Sequence, residues 1–418
     1  MRVLHLVHQY IPERIGGTEL YTRWLVRALQ ERDHDVAIFH RQFNATKDLT
    51  FREEDGIRVW SAWTGNLSPK QRFVASFHDP KMIQLFEEVL ATYKPELVHV
   101  EHLMGLPIAI LNILRRRKIP YVITLWDFWW ICANAQLLTN YSQEICDGPR
   151  GYMNCACCAL ARIERTELWP AIPALAGIFA WRGYLLRMVM RHAAALIAPT
   201  PFVYHWYADH NAPSDSLCLL EPGLEPVQER SSNKREPARP LRFAYIGGLS
   251  WQKGVHVLLD AFSDVKGAWE LWIAGDETVA PEYVAELHNR AASQTVRFLG
   301  KLDRNQVWET LSQVDVVLVS SLWYETFSFI ISEAFAMGVP VVASDLGPLA
   351  DRVHDGVDGF LVSPGDSGAW REILQRLVSD LELVQRLKEG VRPPLMITTH
   401  AVQMEDLYAR FIDNTAKH

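Results

Sequence analysis

The sequence predicts an α/β protein made of two doubly wound parallel-sheet domains, and three observations carry that expectation. Short apolar, β-branched runs alternate with helical segments from residue 1 to about 200. A polar, Pro-rich stretch, Gln228 to Pro240, has little to bury and marks a boundary or a long loop. A fresh alternation opens at Leu241-Arg242-Phe243-Ala244-Tyr245-Ile246 and runs to about Gly390. A chain of 418 residues is long enough for two ordinary domains.

In the first half, Val3 to Val7, Val36 to Phe39, Leu97 to Val100, Tyr121 to Leu125 and Ala195 to Ala198 read as buried strands. Gly16-Gly17 follows the first of them and precedes a helix from Glu19 to Leu29, with Thr18 placed to cap it. Glycines let a backbone approach a phosphate closely, although a lone pair of them is usually just a turn. The first domain is expected over residues 1–205, with an insert at about 130–190, and the second over 215–392. Pro393-Pro394 interrupts, and a helical tail, Thr399 to Ile412 within 395–418, closes the chain.

Composition narrows the function. Half the residues are apolar and 22% are charged, as in ordinary globular proteins. The net charge of −7 disfavours a general nucleic-acid role. Met1 leads directly into the first strand, so no secretory signal is expected, and no segment supplies the roughly 20 apolar residues of a membrane span. The expected location is cytoplasmic, with the inner face of the membrane as the place for any peripheral contact.

The densest signal lies between Leu318 and Asp351, LVSSLWYETFSFIISEAFAMGVPVVASDLGPLAD. Val316 to Val319 is a strand, a loop carries Glu325, Phe327 to Met337 is helix-forming, and Val341-Val342-Ala343 begins another strand. In such a unit the loop lies at the carboxyl edge of the sheet, where open α/β folds bind ligands. Free N–H groups around Phe327 and Ser328 would favour a phosphate there. Glu325 and Glu333, with seven residues between them, then suit a sugar nucleotide, one by the sugar and one on the ribose diol. Upstream, Gly247-Gly248 ends a strand and Lys253-Gly254 opens a helix, which places Lys253 to put a point charge on a diphosphate.

E-x7-E followed by A-x-A-x-G-x-P-V-V-A-S resembles the signature of retaining family-4 glycosyltransferases with the GT-B fold. MRVLHLVHQYIPERIGGTELYTRWLVRAL, FAYIGGLSWQKGVHVLLDAF, LWIAGDE, VRFLGKL and DGVDGFLVSPGD extend the resemblance over most of the chain, in family order. It implies two Rossmann-like domains facing across a cleft, the second holding the donor and the first the acceptor, with the tail helix returning to the first. It further implies transfer of a sugar from a nucleotide-diphosphate sugar to an acceptor hydroxyl with same-face attack and no catalytic metal. Such steps belong to polysaccharide, glycolipid or glycoconjugate synthesis, and the acceptor would be a carbohydrate, a lipid-linked saccharide or a small molecule. Glu325 would orient the donor sugar and Glu333 bind the ribose. Gly16, Gly17, Gly247, Lys253, Phe327 and Ser328 would line the donor.

The sequence departs from the family in two places. Gly248 stands where many members have an arginine, so backbone amides or another cation must share the diphosphate. Trp126 stands near a position that often holds histidine, and it cannot act as acid or base. Asp127 is the nearest titratable group, a candidate for a sugar hydroxyl or the acceptor and as readily a turn-capping aspartate. His102 and Trp126 are acceptor-side candidates, and His99 and Glu101 follow the same strand as His102. Asp33-His34-Asp35 spells the D-x-D of the other large glycosyltransferase fold, but it falls in an ordinary turn and is rejected as a metal site.

Five of the six cysteines fall between Cys132 and Cys158. In a cytoplasmic protein such clustering points to metal more than to disulfides. Cys132, Cys146, Cys155 and Cys158 could form a structural tetrathiolate zinc site, which leaves no open catalytic position. An iron–sulfur cluster, disulfides and unliganded thiols are the alternatives. The segment resembles a cysteine-bearing insert found after D-F-W in some members of the family. The apolar stretch Leu168 to Met190 is Pro-broken; intramolecular or dimer packing is its commoner explanation, and contact with a membrane or a lipid acceptor the other. Two other functions are weighed: a sugar-nucleotide epimerase, which the pattern fits poorly, and a silent binding scaffold, which intact Glu325, Lys253 and Glu333 argue against.

Overall fold

The structure, a computed structural model, describes residues 1–13, 15–43, 45–226, 236–292 and 295–415. Residues 228–235 of the expected boundary stretch, and 416–418 of the tail, lie outside the described residues. The chain divides into two compact units, Met1–Glu225 with Leu395–His418, and Pro226–Pro394.

The first unit holds strands β1 (Arg2–Val7), β2 (Asp35–Arg41), β3 (Leu49–Glu54), β4 (Ile57–Ala62), β5 (Leu97–Val100), β6 (Tyr121–Thr124), β7 (Ala195–Ala198) and β8 (Leu217–Leu219). They form one sheet in the order β3-β4-β2-β1-β5-β6-β7-β8, parallel throughout except for the β3–β4 pair. The unit runs on past residue 205 because β8 pairs with β7 at the sheet edge. The central strands read as continuous apolar runs because helices cover both faces, and Val3, Leu4, Leu6, Leu97, Val98 and Val122 are fully buried.

The second unit is a six-stranded parallel sheet of β9 (Leu241–Ile246), β10 (Trp269–Ala274), β11 (Val296–Gly300), β12 (Val316–Val319), β13 (Val341–Ser344) and β14 (Gly359–Val362). Its order, β11-β10-β9-β12-β13-β14, is the doubly wound 3-2-1-4-5-6 arrangement. The core packs Phe243, Leu271, Val316 and Leu318 under helices that contribute Leu258, Leu287, Trp370 and Leu374.

The tail forms the helix Ile397–Thr415, which belongs to the first unit. Leu224 pairs with Leu395 and Ile397 through the backbone, and Ala401, Met404 and Tyr408 of the helix are fully buried. Tyr21 bonds His400 at 2.6 Å and Tyr408 bonds His99 at 2.6 Å, so buried polar contacts fix the register of the helix.

The helix Ile172–Arg191 does not bury its whole apolar surface. Ile178, Trp181 and Tyr184 are 45%, 52% and 55% exposed and recur at three-residue spacing, so they share one outward face. Arg182 is instead the buried residue, at 3% exposure. Packing within the unit therefore explains the inner stripe of this helix and leaves the outer one half exposed, with Trp181 touching Phe77 at 4.8 Å between ring centroids.

Candidate active site

In the second unit the strand order reverses between β9 and β12, and the loops that follow these two strands carry the residues in question. Ligands of open α/β sheets lie in the crevice outside such a reversal. Gly247 and Gly248 follow β9 directly, and a single turn, Trp251–Lys253, delivers Lys253. Gly254 then takes φ +72, and a Cβ there would overlap the Ser320 carbonyl. Only glycine lets the two loops come this close. Leu322 N–H donates to the Gln252 carbonyl at 2.8 Å and the Ser320 hydroxyl to the Lys253 carbonyl at 3.0 Å, locking the β12 loop onto the lysine turn.

That lock brings Lys253 to Glu325. The ammonium donates to Glu325 Oε1 at 2.6 Å, the Ser321 hydroxyl to the same oxygen at 2.6 Å and the Trp323 indole N–H at 3.3 Å. Lys253 also lies 5.3 Å from the Trp323 ring centroid. Burial acts to raise the Glu325 pKa, but the lysine charge and these three hydrogen bonds outweigh it, and the carboxyl titrates below its ordinary range. Glu325 is thus a carboxylate at neutral pH, and Oε2 takes none of the three bonds.

The helix after this loop is Phe329–Ala336, shorter than the sequence suggests at its start because Ser328 takes φ 64, outside helical geometry. Phe327 is 3% exposed. Arg352 lies 3.6 Å from its ring centroid and donates to its carbonyl at 3.0 Å and to the Ser332 hydroxyl at 2.7 Å. The phenyl side chain is therefore buried in the loop and is not itself a surface for a ligand. Glu333, one turn in, is 5% exposed and accepts from Arg304 at 2.5 Å. The sequence reading missed Arg304, although Asp303 and Gln306 form a capping box at the start of its helix that the D-x-x-Q spacing spells.

The first unit repeats the geometry at its own reversal, between β1 and β5. Gly16 precedes the helix Gly17–Gln30 and a Cβ on it would lie 2.6 Å from Glu19 Oε2, so the glycine lets this carboxylate fold back on the helix start. Gly17 is the first helical residue, and Thr18 lies inside the first turn rather than capping it, its carbonyl accepting from Thr22. Glu19 is 2% exposed, and burial raises its pKa. His8 stands 3.7 Å from Glu19, with its ring 4.6 Å from that of His102. Burial, then the neighbouring His102, hold its pKa well below the usual histidine value. His8 Nδ1 and Glu19 Oε1 are buried and without a hydrogen-bond partner.

His102 and Asp127 form a dyad. His102 Nε2–H donates to Asp127 Oδ2 at 2.8 Å, while Met104 N–H donates to Nδ1 at 3.0 Å and fixes the tautomer. Burial disfavours the charged ring, but Asp127 outweighs it and the His102 pKa is raised. Asp127 Oδ1 accepts from the Trp129 N–H at 2.8 Å. Trp126 is 7% exposed, and its indole N–H donates to Glu101 at 2.9 Å. Glu101 and His99 are fully buried beneath it, where Glu101 also accepts from His5 at 2.9 Å. His5, His99 and Glu101 offer ligand atoms within 4.8 Å of one another. Burial acts to raise the Glu101 pKa, and His99, His5 and Trp126 together lower it. These groups form a buried polar network beside His102 and Asp127, satisfied by one another except at His5 Nε2, which is buried without a partner.

Five of the six cysteines lie in the segment after Asp127, and Cys218 lies on β8. All six are free thiols. Cys155 and Cys158 share one face of the helix Met153–Arg162. Burial and the neighbouring sulfurs raise their thiols to about 12 and about 11.

Residues 16–223 match the sequence model described as "Glycosyl transferase 4-like domain", and residues 240–380 that described as "Glycosyl transferases group 1". A D-inositol 3-phosphate glycosyltransferase of Xylanimonas cellulosilytica is 32% identical over 396 residues, 90% of this chain and 87% of the relative. A glycogen synthase of Mycobacterium tuberculosis is 22% identical over 400 residues, 94% of this chain and 90% of the relative. Among solved structures, sucrose-phosphate synthase from Thermosynechococcus elongatus superimposes with a TM-score of 0.73 at 19% identity, covering 99% of each chain. Anabaena HepE in complex with UDP and glucose gives 0.67 at 17% identity, covering 98% of this chain and all of the other. At these identities the structural likenesses speak for the fold.

Proposed function

This chain belongs to the group 1 glycosyltransferases, with the GT-B fold, and on that premise we propose that it transfers a sugar from a nucleoside-diphosphate sugar to an acceptor hydroxyl with retention of configuration. The observation that carries the reading is the Lys253–Glu325 pair at the β9/β12 reversal, with Glu333 one turn along the next helix. Solved neighbours bound to UDP or UDP-glucose support a nucleotide-sugar donor of that kind.

Each residue then has a task. Lys253 exchanges part of its contact with Glu325 for the diphosphate and stabilises the charge gathered by the leaving group. The backbone N–H groups around Gly247 and Ser328 add donors to the same oxygens, in place of the arginine absent at Gly248. Glu325, held ionised, offsets the positive character of the anomeric carbon and orients the sugar. Glu333, preset by Arg304, takes the ribose hydroxyls. The leaving phosphate receives the acceptor proton on the face it departs from, so no protein nucleophile is required. In the first unit, the glycine loop at Gly16-Gly17 and the His102–Asp127 dyad serve the sugar and the acceptor, with Trp126 beneath as a support rather than a contact.

The outward face of the helix Ile172–Arg191 supports an acceptor carried at a membrane. Ile178, Trp181 and Tyr184 are aromatic or apolar and exposed, and Arg115, Arg116 and Arg191 are exposed near the end of that helix, where Arg115 reaches His192. Interfacial aromatics beside cations suit an anionic lipid surface.

The testing experiment follows nucleoside diphosphate release and product configuration by NMR, with a panel of UDP-, ADP- and GDP-sugars and saccharide or lipid-linked acceptors. Retention is expected, an α-linked donor giving an α-linked product. An inverted product would contradict the mechanism, and acceptor-independent epimerisation of the donor would replace transfer altogether.

A further inference from the structure

The helix Ile172–Arg191 buries a cation. Arg182 is 3% exposed, donates to the Trp129 carbonyl at 2.6 Å and stacks 4.9 Å from the Trp129 ring centroid. Among the described residues it makes no ion pair with a carboxylate. A buried charge without a counter-charge is costly, so this environment asks for an anion. The helix that carries it packs against the helix Met153–Arg162, which bears Cys155 and Cys158, and Trp129, whose carbonyl it meets, lies three residues before Cys132.

Four cysteines stand on the short segments next to it. Cys132 ends the turn that begins at Asp127, its N–H bonding the Phe128 carbonyl at 2.7 Å. A short hairpin, closed by the Leu138–Ile145 bridge and by Cys146 N–H to the Leu137 carbonyl at 2.8 Å, carries the chain to Cys146. Cys155 and Cys158 follow, three residues apart on one helical face. N–H groups point at two of the sulfurs, the Asn154 amide at Cys146 and the Asn140 N–H at Cys158, both at 3.4 Å. Donors aimed at sulfur favour the thiolate and are the outer support of a metal site.

We propose that Cys132, Cys146, Cys155 and Cys158 bind one zinc ion, with Arg182 as the buried counter-charge of the resulting tetrathiolate. Four thiols lose their protons on binding, and Zn²⁺ with four thiolates carries a net charge of about −2, which Arg182 partly neutralises. The sulfurs of such a site are about 3.8 Å apart. Among the described residues no three of them lie within 4.8 Å of one another, so binding draws the hairpin toward the helix. Cys157, one residue from Cys158 on the other side of the helix, stays outside the site, as does Cys218 on β8. The consequence reaches the reaction, because Trp129 joins Arg182 to Asp127: its carbonyl accepts from Arg182 and its N–H donates to Asp127. Zinc would thereby hold the turn that presents Asp127, making Arg182 a positioning residue.

The test uses the full chain purified from zinc-supplemented cells, with bound metal measured by mass spectrometry and the apo protein titrated with Co²⁺. One zinc per chain and the charge-transfer bands of tetrahedral cobalt thiolate are expected. Cys132→Ser and Cys155→Ser should abolish those bands, and Cys157→Ser and Cys218→Ser should leave them unchanged. Arg182→Met, which removes no ligand, should weaken Co²⁺ binding about tenfold. Iron with inorganic sulfide, a disulfide among the four, or wild-type protein with neither zinc nor a cobalt-thiolate spectrum would each overturn the proposal. Should the serine variants not fold, the wild-type spectrum and metal content decide alone.

Discussion

The two units solve the same topological problem with opposite electrostatics. Each places its functional loops where a parallel sheet reverses direction, between β9 and β12 in one and between β1 and β5 in the other. In the second unit every carboxylate of interest has a cation from a different element: Lys253 on Glu325 and Arg304 on Glu333. In the first, ionisable groups are buried against one another, with His8 and Glu19 left holding unpartnered atoms and His102 paired to Asp127. The difference follows from the ligands proposed. A diphosphate needs fixed positive charge at a solvent-facing crevice, whereas a sugar or acceptor hydroxyl is recognised by hydrogen-bonding groups that stay neutral or share a proton.

The comparison breaks first at Glu325. Glu325→Gln should lower kcat by about 10²–10³-fold with little change in nucleotide affinity, since the transition-state charge and not the ground state is lost. An unchanged kcat in a steady-state assay would remove Glu325 from the reaction. Lys253→Met comes next, with donor affinity down roughly ten- to a hundredfold by calorimetry, in proportion to the loss of a charge-assisted bond to phosphate. It should also raise the Glu325 pKa, because the strongest charge favouring the carboxylate has gone. Asp127→Asn keeps the shape of the dyad but not its charge. It should cost about tenfold in kcat/KM for the acceptor and leave donor affinity alone, and a fall in donor affinity instead would move the dyad to the wrong substrate.

Acid should separate the units. Burial lowers His99 to about 3 and both His40 and His400 to about 4, whereas unfolded histidine titrates near 6.5. Between pH 6.5 and about 4 the unfolded first unit binds more protons than the folded one, so its stability falls as pH drops through that window. Glu325 acts in the same direction but at lower pH. Its folded pKa lies below the ordinary 4.5, so its contribution is complete above 4.5 and is lost only below it. Hydrogen exchange corrected for pH should therefore show Leu97–Thr124 losing more protection near pH 5 than Leu241–Ala274, where burial lowers only the half-buried His256. Simultaneous loss would mean that the buried histidines are already compensated.

The smallest effect is expected on the outer face of the helix Ile172–Arg191. Trp181→Ser should reduce sedimentation with anionic vesicles several-fold and leave turnover of a water-soluble acceptor unchanged. Equal binding to neutral and anionic vesicles would remove the cationic part of the argument.

What the sequence disclosed and what it hid differ by range. The strand runs, the glycine loops and the E-x7-E spacing are local, and the strands around β1, β5 and β12 form where the apolar runs lie. Helix starts shifted at Ser328, where φ 64 delays the helix, and at Thr18, which falls one residue inside a helix that begins at Gly17. Partners across the sheet were illegible. Arg304 lies 29 residues from Glu333 and His102 lies 25 from Asp127, and no spacing rule links them. Arg182 hid for another reason: on a helix apolar nearly all round, the sequence does not say which stripe faces in.

The most direct measurement is calorimetric titration of the wild type and Glu333→Ala with the panel of nucleoside-diphosphate sugars. The account predicts selective binding of one nucleotide by the wild type and a ten- to hundredfold weaker affinity in the variant, for loss of about 1.5–3 kcal/mol of charged hydrogen bonding to the ribose. Equal affinity in both proteins would contradict it, because the nucleotide would then lie somewhere other than the β9/β12 reversal.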